Sequence, residues 1–335
     1  MPIWEDDDTG GASVQAPSFS QRVRAGNAVP ILSDSALLDL ALFGQAPFAQ
    51  FYAGRVGYPF AAASDIALIA NYDRHTNQTS DTDCKSFYLD CLKNFLYRQA
   101  KAANLDAGAL ADAREQADRL SVSAFAARLG YPSFGQGAAY PLLVLANLPF
   151  KIYLTTSPHT FLEDALRQTR QTEPLTKMCR WRGPIEAPEK DLWTIPGEYR
   201  PSQAQPLVYH LFGLDAYPDS LVLTEDDHLE FLVNIALGRG DDKADRLPAL
   251  VRGALFDDVI LLGFGLDRWA FRALYYGLLR SIGQEKDRRG LCAVQLSSDE
   301  RAKQEKYLQG YLDRDAKFNI FWGDLGQYAE ELMRG

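Results

Sequence analysis

Six short runs rich in Val, Ile and Leu, most of them leading into a segment with helical spacing, constrain this chain more than any other feature. They are Ala28–Leu32, Lys151–Thr155, Leu207–Phe212, Val259–Gly263, Cys292–Leu296 and Lys317–Trp322. Strand runs separated by helices are joined by crossover connections instead of hairpins, which makes the sheet parallel and covers both of its faces. The helix starts agree. Ser157 followed by Pro158 has the form of an N-cap with proline at the first helical position, leading into Phe161, Leu162, Ala165 and Leu166 on one face. Thr224 with Asp227, Ser297 with Glu300 and Asp324 with Gln327 repeat the spacing of a capping box. The expected fold class is α/β: a Rossmann-like, mostly parallel sheet flanked by helices, with a helical insertion.

The insertion is residues 60–147, which hold helical patterns at Ser86–Ala103, Ala109–Leu120 and Ser123–Leu129 but no strand run. Residues 17–59 and 148–335 then make the sheet-bearing core, and residues 1–16, acidic and without periodicity, a flexible tail. Within the core, residues 171–205 carry five prolines together with Trp181 and Trp193, and read as an irregular excursion packed by aromatics. Trp269, Phe271, Tyr275 and Tyr276 crowd one helix as core residues, while the charge runs at 240–243 and 285–289 are solvated loops.

Composition removes several function classes. With 44 acidic against 35 basic residues the net charge is −9, the wrong sign for neutralising phosphates, so no direct nucleic-acid binding is expected. The longest uncharged stretch, Leu129–Phe150, is interrupted by Pro132, Pro141 and Pro149 and does not read as a membrane span. The acidic start lacks the apolar run of a signal peptide, so a cytoplasmic location is expected and the four cysteines stay thiols. Cys84 and Cys91, seven apart on one helix, are packing residues. No GxxxxGK[ST], HExxH or GxSxG sequence occurs, and Gly263-Phe264-Gly265 is followed by Arg268 where a dinucleotide fingerprint needs its third glycine.

Open α/β sheets bind ligands at the carboxyl ends of their strands. Four loops qualify: Ser33-Asp34-Ser35, Thr155-Thr156-Ser157-Pro158-His159, Gly213-Leu214-Asp215 and Gly263-Phe264-Gly265-Leu266. The candidate ligand-binding residues are therefore Ser33, Asp34, Ser35, Thr155, Thr156, Gly213, Asp215, Gly263, Phe264 and Gly265. Taken singly, each loop has the small and hydroxylated residues that any turn or cap requires.

Taken together they resemble the sirtuin-like family. Lys151-Ile-Tyr-Leu-Thr-Thr-Ser-Pro-His-Thr-Phe-Leu-Glu163 is similar to its strand–Thr-Thr-Asn–helix segment, and Pro206–Asp215 resembles its Leu-His-Gly strand. Leu221-Val-Leu-Thr-Glu-Asp-Asp-His-Leu-Glu-Phe-Leu232 and Leu261-Leu-Gly-Phe-Gly-Leu-Asp-Arg-Trp-Ala-Phe-Arg272 resemble the most specific segments of bacterial members of the antiphage-defence type. Phe318–Asp324 is similar to their terminal strand.

The resemblance implies an NAD pocket and, in bacterial members, cleavage of NAD to nicotinamide and ADP-ribose. It also implies a homo-oligomer or a defence-system protein partner. The family asparagine that orients the nicotinamide side falls on Ser157, and the family histidine that takes a ribose proton falls on Phe212. The glycines of the first phosphate loop are replaced by Pro30–Ser35, and Pro30 lacks a ladder donor in what should be a central strand. Only Cys179 lies in residues 171–205, too few ligands for a structural zinc, so zinc-dependent deacylation is not expected. His210 lies two residues before Phe212, on the same strand face, and His159 follows Ser157 in a helix-start position that favours neutral imidazole. In an enzyme, Ser157 with Thr156 positions the nicotinamide end and His210 or His159 handles the proton. The alternative is a catalytically inactive nucleotide-sensing or scaffold subunit.

Overall fold

Among the described residues seven strands, all parallel, form one sheet. They are β1 (Ala28–Leu32), β2 (Ile152–Thr155), β3 (Leu175–Met178), β4 (Leu207–His210), β5 (Asp258–Leu262), β6 (Cys292–Leu296) and β7 (Phe318–Trp322), in the order β3-β4-β2-β1-β5-β6-β7. This is a computed structural model, and it describes residues 19–60, 64–134, 140–183, 192–237, 246–265, 268–280, 292–296 and 318–334. The expected tail, the Ser297–Glu300 helix start, Leu266, Asp267 and the two charge runs lie outside the described residues.

Period-two alternation along each strand divides the core in two. Ala28, Leu32, Tyr153, Val208, Ile260 and Leu262 point to one face. Against it pack α2 (Asp34–Ala41), α3 (Gln45–Val56), α8 (Pro141–Asn147), α9 (Phe161–Arg170) and α13 (Leu325–Arg334), with α1 (Phe19–Arg24) at the margin. Val29, Ile31, Leu154, Tyr209, Val259 and Leu261 point to the other, under α10 (Glu225–Leu237), α11 (Ala249–Ala254) and α12 (Trp269–Leu274). The fold is thus the expected Rossmann-like α/β arrangement, and every described strand pairing is parallel.

Between α3 and β2 the described chain is purely helical: α4 (Ile66–Thr76), α5 (Asp81–Ala102), α6 (Ala107–Glu115) and α7 (Val122–Arg128) precede α8. The long α5 buries Cys84, Tyr88, Leu92 and Phe95 at three- and four-residue spacing, one stripe continuous with the first core face. The helical segment is therefore packed onto the sheet layer instead of forming a core of its own. Burial pushes the Cys84 thiol up to about 12 and Cys91 to about 11, which leaves both as inert packing groups.

Three expectations need correcting. Leu175–Met178, inside the stretch expected to be irregular, is the edge strand β3, hydrogen-bonded to β4 in register from Leu175 opposite Leu207 to Met178 opposite His210. Helix α9 begins at Phe161 after Thr160, not at Pro158. The Ser157 hydroxyl, expected to cap it, instead donates to Asp34 Oδ1 at 2.8 Å, and Asp215 N–H takes the Pro158 carbonyl at 2.9 Å, so these residues are held as a loop. Strand β4 stops at His210, and Leu211–Phe212 turn away. His210 faces Glu163 of α9, whereas Phe212 packs on Phe231 of α10, so the two do not share a face. Pro30 does stand in the central strand. It is opposite Ile260 of β5, while the β2 ladder starts only at Ile31.

Candidate functional site

The carboxyl ends of β1, β2 and β5 are stitched together by short side chains. Ser33 caps α2 by accepting from Ala36 N–H at 3.0 Å, and the same hydroxyl donates to the Gly263 carbonyl at 2.7 Å. Gly263 holds φ +71°, and a Cβ there would stand 2.4 Å from Ala36 Cβ, so only glycine lets the β5 loop approach α2 this closely. On the other side Thr155 Oγ1 donates to Leu32 O at 3.1 Å, and Asp34 N–H donates to Thr156 Oγ1 at 3.1 Å. Since β1 connects onward to β2 on one side while β5 pairs on the other, a crevice opens at the point where strand order reverses.

Ser33, Asp34, Ser35, Thr156, Phe264 and Gly265 form one wall of that crevice. Tyr88 from α5, Phe212, His228 from α10 and Trp269 from α12 form much of the other. The enclosed space is about 90 Å³, below the usual range for small-molecule sites, and it reaches about 730 Å³ only when its open mouth is counted. Its charge is acidic on balance: Asp34 and Asp65 line it against Arg268, whose guanidinium lies 3.5 Å from Asp65 and donates to Ser64 Oγ at 3.2 Å. Burial raises the Asp34 carboxyl above its ordinary range, opposed by the nearby His159 and by the Ser157 hydrogen bond.

Behind the Asp34 wall lies a buried polar network. His159 Nδ1 is 3.0 Å from Asp215 Oδ2, an oxygen that also accepts from Ser123 N–H at 2.7 Å and Ser123 Oγ at 2.6 Å. His159 is fully buried, and its Nε2 has no partner among the described residues. His210 has acceptors on both ring nitrogens, the Ser157 carbonyl at 2.7 Å from Nδ1 and Glu163 Oε1 at 2.8 Å from Nε2. Its burial favours the neutral ring, but the Glu163 carboxylate outweighs that, and the imidazole sits above its ordinary pKa. Two acceptors facing one ring describe an imidazolium that donates twice.

The structure therefore brings six of the expected site residues onto the crevice: Ser33, Asp34, Ser35, Thr156, Phe264 and Gly265. Gly263 forms the turn beneath them, and Thr155 is buried in the β1–β2 stitch. Ser157, His159, Asp215 and His210 stand behind the wall, outside the crevice lining. Gly213 lies off the lining too, at φ +85° with Ser220 O only 2.2 Å from where a Cβ would be. Tyr88, His228 and Trp269 were not anticipated as lining. Tyr88 carries no sequence signal, whereas His228 adjoins the Thr224–Asp227 capping box that fixes the start of α10. Among the described residues no group of three His, Cys, Asp or Glu is placed to hold a metal ion, and no helix is long and apolar enough to cross a membrane.

Comparison with known families finds the description "SIR2-like domain" for residues 151–313. The matched segment supplies the β2, β4 and β5 loops and the helix bearing His228. No curated protein matches the chain.

Proposed function

We propose, on the premise that residues 151–313 match the SIR2-like domain family, that the chain binds NAD in this crevice and hydrolyses it to nicotinamide and ADP-ribose. The observation that carries the reading is the convergence of Ser33, Asp34, Ser35, Thr156, Phe264 and Gly265 on one crevice at the reversal point of the sheet.

The lining suits the nucleoside parts of NAD best. Tyr88, Phe212, Phe264 and Trp269 offer aromatic surface for a base or the nicotinamide ring. Asp34 and Asp65 accept ribose hydroxyls, and their acidity favours the cationic nicotinamide of the substrate over the neutral nicotinamide released. Diphosphate recognition is lighter. Asp34 N–H and Ala36 N–H are already committed to Thr156 and Ser33, which leaves Arg268 as the cationic side chain of the described lining. Ser157 and His159 act from behind, Ser157 by fixing the Asp34 carboxylate.

Water attacks the ribose anomeric carbon, the bond to the nicotinamide nitrogen breaks with its electron pair leaving on nicotinamide, and one proton is released. The likeness of Leu221–Leu232 and Leu261–Arg272 to antiphage-type members supports a place in a bacterial defence assembly, as a homo-oligomer or with a protein partner. Phe212, where the family has a proton-accepting histidine, favours a second reading in which the crevice senses a nucleotide without cleaving it. One pair of measurements separates them. Nicotinamide release from NAD supports hydrolysis. Thermal stabilisation by NAD without release supports sensing, because a ligand that binds only the native state raises its stability. Neither signal overturns both.

A further inference from the structure

We propose that His228 is the proton acceptor of the crevice, presenting an imidazole beside Phe212 to an attacking water. The inference rests on the reading of the crevice as an NAD site. His228 is sixteen positions beyond Phe212 in the chain, yet its ring stands edge-on to the Phe212 ring, with centroids 5.2 Å apart and planes at 89°. Both rings line the crevice. An imidazole from α10 thus reaches the region that a side chain at position 212 occupies.

Its hydrogen bonding fixes the tautomer. Nδ1 lies 2.7 Å from the Thr224 carbonyl oxygen, which can only accept, so the ring proton is on Nδ1. The lone pair is then on Nε2, which has no hydrogen-bond partner among the described residues and is not among the sealed, unpartnered atoms. His228 also sits in the first turn of α10, where the positive end of the helix disfavours imidazolium. Burial, the largest influence, lowers its pKa below the ordinary histidine value, opposed by the Thr224 bond and by Asp227 and Asp65 and assisted by Lys85 from α5. Arg268 adds a further positive charge on the same crevice. The ring is therefore neutral near pH 7 and able to accept.

Neither expected histidine has this combination. His210 already faces two acceptors, and His159 is sealed behind the wall with Nδ1 on Asp215. In the step proposed, the water oxygen bonds to the anomeric carbon as nicotinamide departs with the bonding pair. The proton lost by that water passes to His228 Nε2 and later to solvent, so that NAD and water give ADP-ribose, nicotinamide and a proton.

The test uses the full-length protein in two arms. Diethyl pyrocarbonate at about pH 6.5, where a neutral imidazole with an open nitrogen reacts, is expected to label His228 unless ADP-ribose is present. The exposed His75 is expected to label with or without it. Separately, His228→Gln is expected to lower nicotinamide release by about 100-fold or more, to keep thermal stabilisation by ADP-ribose, and to lose the acid limb of the kcat/KM profile. His228→Phe, which keeps an aromatic ring against Phe212, is expected to match it. Wild-type cleavage that survives both substitutions overturns the role of His228 while leaving the NAD site standing. Binding of ADP-ribose that leaves His228 labelling unchanged also overturns it. A wild-type protein that neither binds ADP-ribose nor releases nicotinamide removes the NAD reading and this inference together.

Discussion

Two histidines in this fold respond to protons in opposite senses. His210, held between the Ser157 carbonyl and Glu163, has a raised native pKa. It therefore contributes stability that is complete below the unfolded histidine value near 6.5 and is lost as pH rises through the native value. His228 has a lowered native pKa. Its contribution is present above that unfolded value and is lost as pH falls toward the native one. In the wild type the two windows meet near the unfolded value, His210 acting above it and His228 below it, so single variants assign each slope to its histidine. His210→Leu leaves Glu163, itself fully buried, without its cationic partner. It is expected to cost about 3–5 kcal/mol at about pH 6 by urea unfolding, and less as the pH is raised. A loss that is independent of pH, or below about 1 kcal/mol, would show that the pair is neither charged nor strongly coupled.

At the scale of elements, the loops of the site depend on two local devices. Gly213 turns the chain out of β4 at φ +85°, against the Ser220 carbonyl. Gly213→Ala meets both a disfavoured backbone and a blocked Cβ, and is expected to destabilise by more than about 1 kcal/mol in thermal or urea unfolding. Thr224 caps α10 through Asp227 N–H at 3.1 Å while Asp227 returns to Thr224 N–H at 3.0 Å. Thr224→Ala is expected to cost about 1 kcal/mol and to weaken ADP-ribose binding, since the same turn carries His228. Such elements are legible wherever local chemistry decides them. Apolar β-branched runs marked β1, β2, β4, β5, β6 and β7, and Thr224–Asp227 marked the start of α10. Strand β3 was not legible because Leu-Thr-Lys-Met after Pro174 has no apolar alternation, and it forms only because β4 offers an open edge. The start of α9 was misplaced because Ser157 bonds to Asp34, 123 positions away, in preference to a cap. At the site, loop composition located the Ser33, Thr156 and Gly265 wall. The facing wall depends on how α5, α10 and α12 pack over it, and no local pattern in Tyr88 or His228 records that.

For the whole molecule, charge and topology make different demands on a ligand. The sheet places its reversal point at β1, so the crevice lies at the centre of the chain's long-range pairing, bordered by loops whose strands are buried on both faces. Around it the protein carries a net charge of −9, and Asp34 and Asp65 line the crevice against Arg268. A phosphate-driven site would bind ADP-ribose, a dianion, less tightly as salt is added, because screening removes the attraction. On the proposed reading the long-range field repels the ligand, and affinity is expected to come from aromatic surface and short hydrogen bonds that salt screens little. Raising ionic strength from about 20 mM to about 200 mM shortens the screening length severalfold. The dissociation constant of ADP-ribose measured by calorimetry is therefore expected to stay level or fall across that range. Arg268→Gln is expected to raise it at both ends, since Arg268 offers its charge at contact distance. A steep loss of affinity with salt would place the ligand on a basic surface elsewhere and separate it from the crevice of β1, β2 and β5.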